Sequence, residues 1–347
     1  MQQVDPFVGF CCCVLLNFMI TLDSIRKPVE EELRVYNEFV EGQFTASNSL
    51  LNEMLKYALS SRGKGIRPLL VILGAALNAP YQGAAMGKRV SLAATLVEMI
   101  HLSSLIHDDV IDESDTRRGK PSVNARWQSH KAVIVGDYIL ARILKLGMAS
   151  AQYDLMNHIF VTIATLCEGE IEQAACQQEQ SISRKDYFDI IRKKTASLLS
   201  VSISAGALAV HASAEKVEQM RQFGELLGMA FQIEDDILDY MPEANTGKPS
   251  CNDLREGKIT LPLLLILEKV EAERRQELLE RLKQCATDDK AVEYLRCVVL
   301  NEGGLDLARG VMEEFMAKAI GLLSIYEDSP YRKSLADLCT YVMQRNR

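Results

Sequence analysis

The sequence of 347 residues has little of what marks several protein classes. Lysine and arginine total 39 against 47 aspartates and glutamates, so the net charge is −8 and no basic stripe is available to bind nucleic acid. The nine cysteines include no CxxC pair and are odd in number, which argues against a disulfide framework or a zinc site and indicates a reducing cytoplasm. Only nine prolines accompany a hydrophobic content of 48%, a composition typical of a compact soluble protein.

Sustained period-two alternation between hairpin turns is missing, so the sequence does not predict a β-sheet. Apolar residues instead recur at helical spacing from Ile25 onward, and roughly a dozen helices are expected. No linker-like segment divides this part of the chain. The sequence therefore predicts an all-α fold with one domain over residues 23–347, long enough for a substantial core.

Residues 7–22 form an apolar run of about sixteen residues, which is short for a membrane span. Asp5 precedes this run and no lysine or arginine does, so the basic start of a signal peptide is missing. We interpret residues 1–22 as an extension created by the choice of start site, with Met19 as the natural initiator. A peripheral membrane anchor is the alternative. Under the first interpretation, a chain that begins at Met19 is expected to be soluble and fully active.

An acidic cluster lies within residues 101–124, which read HLSSLIHDDVIDESDTRRGKPSVN. Asp108 and Asp112 stand at i and i+4, so their carboxylates share one face of the predicted helix. Like charges at this spacing oppose helix formation, and a bound cation is expected to neutralise them. Because Arg117 and Arg118 follow these hard oxygen ligands, the segment suits Mg²⁺ that holds a phosphorylated substrate. The alternative is a solvated acidic helix end.

A second aspartate-rich segment, FQIEDDILD at residues 231–239, repeats this spacing with Asp235 and Asp239, and Ser213 is expected to cap its helix. Two such faces far apart in the chain are hard to explain as surface decoration, and they suggest the two sides of a clamp for metal ions and diphosphate. Here the chain resembles the trans-isoprenyl diphosphate (polyprenyl) synthases, whose signatures are DDxxD…RR and FQxxDDxxD. The resemblance runs from about Ile25 to the C-terminus.

The segment SSRGKGIRP, residues 60–68, places two glycines around Lys64, and Arg67 precedes a helix that is expected to begin at Pro68. Backbone amides at a helix N-terminus and two cations can form an anion site, although an ordinary interhelical turn is the alternative. The resemblance assigns Lys64 and Arg67 to the isopentenyl diphosphate site, with Gly65 where the family commonly has arginine. It assigns His101, on nearly the same helix face as the first aspartate, to the same substrate, a structural histidine being the alternative.

The resemblance also implies further contacts to substrate, by Arg117, Arg118, Lys194, Thr195, Gln232, Lys248 and Lys258. The last two lysines lie in a polar loop rich in glycine and proline, residues 242–262, of a kind that often acts as a lid. Cys251 stands where the family usually has glycine, so the local conformation of this loop is left open. Gly169, Glu170 and Gln173 recur in the family, but their role does not follow from the sequence.

The implied fold is a large helical bundle of the isoprenoid synthase type around a deep central cavity, usually dimeric. The implied reaction is head-to-tail prenyl transfer from an allylic diphosphate to isopentenyl diphosphate. The implied catalytic residues are Asp108, Asp109, Asp112, Asp235, Asp236 and Asp239. Of these, Asp108, Asp112 and Asp235 are the expected Mg²⁺ ligands, for about three ions per site with substrate bound. The expected partners are the two diphosphates and a second copy of the chain, with at most peripheral membrane contact.

Product length is expected to depend on the residues just before the first aspartate motif. Ser104 precedes Asp108 by one helical turn, about 6 Å along the axis, and Ser103 is its neighbour. Short-chain members of the family close the cavity there with large aromatic side chains, so two serines predict an open path that Ile100 and Val97 limit further down. The expected product is a long all-trans chain of the octaprenyl type, for quinone side chains, with farnesyl diphosphate as primer. Alternatively, the serines pack against a neighbouring helix and another residue blocks the path.

Three other functions compete with this interpretation. The nearest is a short-chain synthase of farnesyl or geranylgeranyl diphosphate. A class I terpene cyclase shares the helical fold and one DDxxD, but it typically replaces the second DDxxD and does not need the GKxxRP site. An inactive regulatory subunit of a heteromeric synthase usually loses aspartates, whereas both motifs are intact here.

Overall fold

The computed structural model of the chain describes residues 20–60, 63–79, 87–179, 181–241 and 250–344. Helices make up nearly all of its regular structure, which confirms the predicted all-α fold. Within the described residues, the exception is a short antiparallel hairpin in which β1 (Thr116–Arg117) pairs with β2 (Lys120–Pro121). Residues 1–19 lie outside the described part, so the choice of Met19 as initiator stays a prediction.

The helices of the first half are α1 (Leu22–Arg26), α2 (Glu30–Val40), α3 (Ser49–Ser60), α4 (Ile66–Asn78), α5 (Lys88–Ile111), α6 (Val123–Trp127), α7 (Ser129–Ser150), α8 (Tyr153–Glu179) and α9 (Arg184–Ile191). Those of the second half are α10 (Ser197–Ala209), α11 (Ala214–Asp239), α12 (Asn252–Arg255), α13 (Leu261–Leu267), α14 (Ala272–Gln284), α15 (Asp289–Asn301), α16 (Gly304–Leu322) and α17 (Pro330–Met343). A π-helical segment (Arg192–Ala196) joins α9 to α10, and 3₁₀ turns occupy Lys27–Val29 and Leu323–Ile325.

Helix α5 is long and apolar enough, by length and composition alone, to cross a membrane. However, 78% of its most apolar stretch is buried inside the protein, where it packs against α4, α7 and α10. A helix that is apolar all round and covered by other helices is a core helix. Helix α5 therefore anchors the bundle while it carries the first aspartate motif at its C-terminal end.

Helices α4 and α10 cross at the distance of backbone contact. A Cβ atom on Gly74 of α4 would lie 2.3 Å from the carbonyl oxygen of Ile203 on α10. A Cβ atom on Gly206 of α10 would lie 1.9 Å from the carbonyl oxygen of Val71 on α4. Close packing of this kind leaves no room for a side chain at either glycine. The opposite side of α10 packs against α11, so α10 fixes the distance between the helices that carry Arg67 and the second aspartate motif.

Local signals set the ends of the two motif-bearing helices. The hydroxyl of Ser213 accepts a backbone N–H of the first turn of α11, which confirms the predicted cap. Helix α5 ends at Ile111, slightly earlier than expected, because Glu113 adopts a left-handed φ of 48°. The amide of Asp112 still donates to the carbonyl of Asp108 at 2.8 Å, so the two carboxylates remain one helical turn apart.

Replacing Gly206 with alanine is expected to lower the free energy of unfolding by about 2–3 kcal/mol, because the new methyl group would force α4 and α10 apart. Gly310 provides a matched control, since it is exposed on α16 and nothing lies within 4 Å of its Cβ position. Gly310→Ala is expected to raise the free energy of unfolding by about 0.5–1 kcal/mol through helix propensity. Urea unfolding followed by circular dichroism measures both, and equal effects would contradict the role of the α4–α10 contact.

Candidate active site

The first aspartate motif is more negative than its neighbouring cations can neutralise. Burial, together with the negative charges of Glu170 and Asp112, raises the pKa of Asp108 to about 7, against the opposing effect of Lys194 and Arg117. A raised carboxyl pKa means that the ionised form is poorly stabilised by the protein alone. A bound cation would therefore stabilise this group of carboxylates.

The second aspartate of this motif, Asp109, faces the protein instead. It is only 3% exposed and accepts a hydrogen bond from Nε of Arg117 at 2.8 Å, with a further contact from Nη2 of the same guanidinium. Because Arg117 lies in β1, this pair ties the hairpin to the end of α5. Asp109 thus positions Arg117, which is predicted to contact the substrate.

Asp236 is the second of the two adjacent aspartates in the second motif, and like Asp109 it faces the protein. Its buried carboxylate accepts hydrogen bonds from the hydroxyl of Tyr187 at 2.6 Å and from the side-chain amide of Gln232 at 2.9 Å. The amide oxygen of Gln232 in turn accepts from the hydroxyl of Thr195 at 2.6 Å. Burial raises the pKa of Asp236, and the two hydrogen bonds oppose that shift. A continuous chain of hydrogen bonds therefore joins α9, the π-helical segment and α11.

Asp239 fixes the backbone at the start of α12. Its carboxylate accepts the backbone N–H groups of Asn252 and Asp253, both at 3.0 Å, and its carbonyl oxygen accepts that of Cys251 at 2.7 Å. Cys251 has a φ of 58°, the left-handed conformation that glycine adopts readily. Cys251 therefore adopts a backbone conformation that suits glycine, the residue that the family usually has here. The left-handed conformation costs a non-glycine residue about 1–2 kcal/mol.

Lys258 lies after α12, in the segment that Asp239 anchors, and the charge of Asp112 acts on it. It forms an ion pair with Glu256. Burial lowers the pKa of Lys258, but the hydrogen bond and charge of Glu256, together with Asp112 and Asp253, produce a net rise. The contribution of Asp112 places this lysine near the aspartates of α5. Lys248, the other lysine predicted to close over diphosphate, lies outside the described residues.

The π-helical segment presents Lys194 to α8. The ammonium group donates to Glu170 at 2.8 Å and to Gln173 at 2.9 Å. A Cβ atom on Gly169 would lie 3.0 Å from the backbone nitrogen of Lys194, so the absence of a side chain allows the close approach. Gly169, Glu170 and Gln173 therefore position Lys194. This is a role for the three residues that does not follow from the sequence. The available signal was the i, i+3 spacing of the two polar residues on one helix face.

Arg67 and Arg118 form a second cationic group beside His101, and the charge of Asp235 acts on Arg67. Burial lowers the pKa of Arg67 to about 10; the charges of Glu98 and Asp235 oppose this shift, and Arg118 adds to it. Burial and the neighbouring arginines lower the pKa of His101 well below its usual range, so its imidazole is neutral. The Nε atom of Arg67 is buried, and no acceptor in the described part of the chain bonds to it. Clustered cations with an unsatisfied buried donor fit an anionic ligand.

Lys64 lies in the turn that precedes α4. Gly65 is the N-cap of this helix and has a φ of 60°, again a conformation that favours glycine. Gly65, which stands where the family commonly has arginine, therefore occupies a left-handed backbone position. Helix α4 begins at Ile66, earlier than the expected start at Pro68, which puts Arg67 in its first turn.

A cavity of about 130 Å³ is lined by four of the residues predicted to contact substrate and by the catalytic candidate Asp236. The four are Lys194, Thr195, Gln232 and Lys258. Isoleucines of α9 and of the segment after α12 supply apolar lining. The structure thus brings these four predicted contacts around one space, while Arg67 and Arg118 form a separate group beside His101.

Ser103 and Ser104 contact different neighbours. Ser103 is 1% exposed, and its hydroxyl donates to the carbonyl of Gly136 on α7 at 3.0 Å. Ser104 is partly buried and donates to the carbonyl of His101 in its own helix at 2.9 Å. Ser103 therefore packs against a neighbouring helix, whereas Ser104 lies one turn before Asp108 on the same face. Earlier in α5, Ile100 and Val97 are buried in the core.

Within the residues that the structure describes, no three His, Cys, Asp or Glu side chains are arranged to hold a metal ion by themselves. Of the predicted ligands, Asp108 lies in the last turn of α5, Asp112 is the residue just after this helix, and Asp235 belongs to α11. A metal ion between them would need oxygen ligands from a bound substrate. Mg²⁺ commonly binds in this way, with one or two carboxylates and the phosphates of its substrate.

Tyr187→Phe is expected to lower the free energy of unfolding by about 1–3 kcal/mol, because it removes a hydrogen bond to the buried Asp236. Tyr138→Phe is the matched control: the hydroxyl of Tyr138 donates to the carbonyl of Thr45 at the surface, and its loss should cost less than about 0.5 kcal/mol. Urea unfolding compares the two variants. If both lost the same stability, the hydrogen bond to Asp236 would not be a structural anchor.

Comparison with known proteins agrees with this geometry. The family profile of polyprenyl synthetase matches residues 48–299. The chain is 32% identical to the all-trans-nonaprenyl-diphosphate synthase (geranyl-diphosphate specific) of Rhodobacter capsulatus, over 93% of this chain and 97% of that protein. It is 31% identical to the octaprenyl diphosphate synthase of Escherichia coli K12, over 94% of this chain and 100% of that protein.

A solved structure matches the fold as well. The polyprenyl synthase of Caulobacter crescentus CB15, crystallised with calcium and isoprenyl diphosphate, superimposes with a TM-score of 0.86 at 28% identity. The match covers 94% of this chain and 98% of that one. Both the sequence and the helical bundle are thus shared over nearly the whole chain. The protein belongs to the polyprenyl synthetase family, the prenyltransferases that synthesise trans-polyprenyl diphosphates.

Proposed function

We propose that this enzyme condenses an allylic diphosphate, preferably farnesyl diphosphate, with successive molecules of isopentenyl diphosphate and forms a long all-trans polyprenyl diphosphate of the octaprenyl type. The observation that carries the proposal is the placement of two cationic groups, around Lys194 and around Arg67, beside the aspartates of α5 and α11. The synthases of nonaprenyl and octaprenyl diphosphate that match almost the full chain support a long product. Such a product would serve as the side chain of a quinone.

The two cationic groups divide the substrates between them in this proposal. Arg117, Lys194 and Lys258, with Lys248, bind the diphosphate of the allylic substrate. Lys64, Arg67, His101 and Arg118 bind isopentenyl diphosphate, for which a neutral imidazole can donate or accept one hydrogen bond. The hydrogen bond between Thr195 and Gln232 joins the π-helical segment to α11 and so fixes Lys194 relative to the second aspartate motif.

The reaction needs little from the protein besides charge and position. The allylic carbon–oxygen bond breaks, and its electron pair leaves with the diphosphate, whose growing negative charge the fixed cations stabilise. The double bond of isopentenyl diphosphate attacks the allylic cation, and a carbon–carbon bond forms. The proton lost from the isopentenyl unit passes to the released diphosphate. Apolar walls must exclude water, which would otherwise capture the cation.

We propose Mg²⁺ as the cofactor, with about three ions per site when substrate is bound. Asp108, Asp112 and Asp235 would hold it, and the raised pKa of Asp108 fits a site that is completed by a cation. Bound Mg²⁺ supplies Lewis-acid stabilisation of the departing diphosphate. Calcium together with isoprenyl diphosphate in the Caulobacter crescentus enzyme supports a divalent cation here.

We also propose that the enzyme is a homodimer in the cytoplasm. Several large apolar side chains of α7 and α8 are exposed, and these are Val133, Ile134, Leu144, Met148, Tyr153, Val161 and Ile171. Exposed apolar residues concentrated on two consecutive helices support an interface there. Light scattering after size-exclusion chromatography tests the assembly, and a monomeric mass would contradict it. The cytoplasmic location is supported by the described cysteines, which are free thiols.

Asp108→Ala, Asp112→Ala and Asp235→Ala are each expected to reduce prenyl transfer by at least about 100-fold, because each removes a carboxylate from the diphosphate clamp. The assay incubates enzyme, Mg²⁺, farnesyl diphosphate and isopentenyl diphosphate and measures the products by chromatography. Asp306→Ala is the control, since Asp306 is exposed on α16 and pairs only at the surface with Arg309. Wild-type turnover in any of the three variants would argue against the clamp. Wild-type products that stop at geranylgeranyl length, or farnesyl diphosphate that is not elongated, would favour a short-chain synthase.

Ser104→Phe is expected to shorten the products sharply while the first condensation continues, because a phenyl ring one turn before Asp108 would block the path of the growing chain. Ser104→Ala removes the same hydroxyl without adding volume, so its products should keep the wild-type length. Ser103 is less suitable, since its hydroxyl contacts the backbone of α7. Unchanged product length in Ser104→Phe would show that the path does not pass this residue.

A further inference from the structure

Both ends of the described chain converge on the turn that carries Lys64. Helices α1 and α17 pack against each other. From α1, the guanidinium of Arg26 donates to the carbonyl oxygen of Lys64. From α17, the hydroxyl of Tyr341 accepts a hydrogen bond from the Lys64 ammonium at 2.9 Å. The turn is therefore held at its backbone by one terminus and at its side chain by the other.

Tyr341 offers Lys64 two kinds of attraction. Besides the hydrogen bond to the hydroxyl, the ammonium lies 5.5 Å from the centre of the tyrosine ring, within the range of a cation–π interaction. The side chain of Lys64 is exposed, and a lysine in water has many rotamers to lose when it binds a ligand. An ammonium group has three donors, so the bond to Tyr341 leaves two for an anion.

Nothing in the motifs accounts for this tyrosine, which stands far along the chain from the glycine-rich turn. Arg67, the other cation at the start of the same helix, has its Nε atom buried. The side chain of Lys64, by contrast, is exposed. Tyr341 supplies from another helix the restraint that the turn itself does not provide.

We propose that Tyr341 is a positioning residue for isopentenyl diphosphate, which holds the ammonium of Lys64 in place before the diphosphate arrives. This inference rests on the proposed function, in which Lys64 binds that substrate. Because the restraint acts before binding, its loss should weaken affinity for isopentenyl diphosphate and leave the chemical step and the allylic substrate unaffected.

The test compares Tyr341→Phe, which keeps the ring and loses the hydroxyl, with Tyr341→Leu, which loses both. The KM for isopentenyl diphosphate should rise about 3-fold in the first variant and about 10-fold in the second. The kcat and the KM for farnesyl diphosphate should stay within about 2-fold of the wild type. Tyr331→Phe is the matched control on the same helix, and its kinetic constants should not change.

A double-mutant cycle separates positioning from a structural role. In the Lys64→Met background, Tyr341→Leu should have no further effect on the KM for isopentenyl diphosphate, because its partner is gone. The same rise in both backgrounds, an unchanged KM in Tyr341→Leu, or a loss confined to kcat would overturn the inference while the proposed function stands. A wild-type enzyme that does not elongate farnesyl diphosphate would overturn the proposed function and this inference with it.

Discussion

Charge compensation inside an apolar helical bundle is the constraint on which the rest of this structure depends. A buried charge without a partner costs several kcal/mol, so each ionised group that points inward must meet a donor or a counter-ion. Asp109 meets Arg117, Asp236 meets Tyr187, and Lys194 meets Glu170. These pairs fix the site before any ligand binds, which is how the binding geometry can be held to fractions of an ångström.

The adjacent aspartates of each motif follow from this constraint. Residues i and i+1 of a helix point about 100° apart, so two neighbouring carboxylates cannot face the same ligand. One of each pair can therefore face the substrate while the other faces the protein. Asp109 and Asp236 are the inward members, and their hydrogen bonds hold in place the hairpin of Arg117 and the helix of Asp235. In each DDxxD motif, one of the two adjacent aspartates can thus bind the ligand, while the other supports the structure around the site.

The sequence could predict what depends on local geometry, and it failed where contacts come from another element. The i, i+4 spacing was enough to place Asp108 and Asp112 one turn apart, although Asp112 lies just beyond the end of α5. The partners Tyr187 and Tyr341 lie on helices remote in the chain, and no spacing rule connects them to the motifs. Ser103 illustrates the same limit: a helical pattern shows that two serines occupy different faces, but not that α7 covers one of them.

The position of Lys194 depends on residues that have no side chain. A Cβ atom on Gly228 of α11 would lie 2.4 Å from the Cα of Ala196, the last residue of the π-helical segment, and Gly169 of α8 makes a similar approach to Lys194 itself. The segment is therefore in backbone contact with helices on both sides, and this contact brings Thr195 within hydrogen-bond distance of Gln232. π-Helical insertions are frequent at functional sites, because they turn a side chain out of the regular helical register. A sequence that kept every charged residue of the site and lost either glycine would hold its lysine in the wrong place.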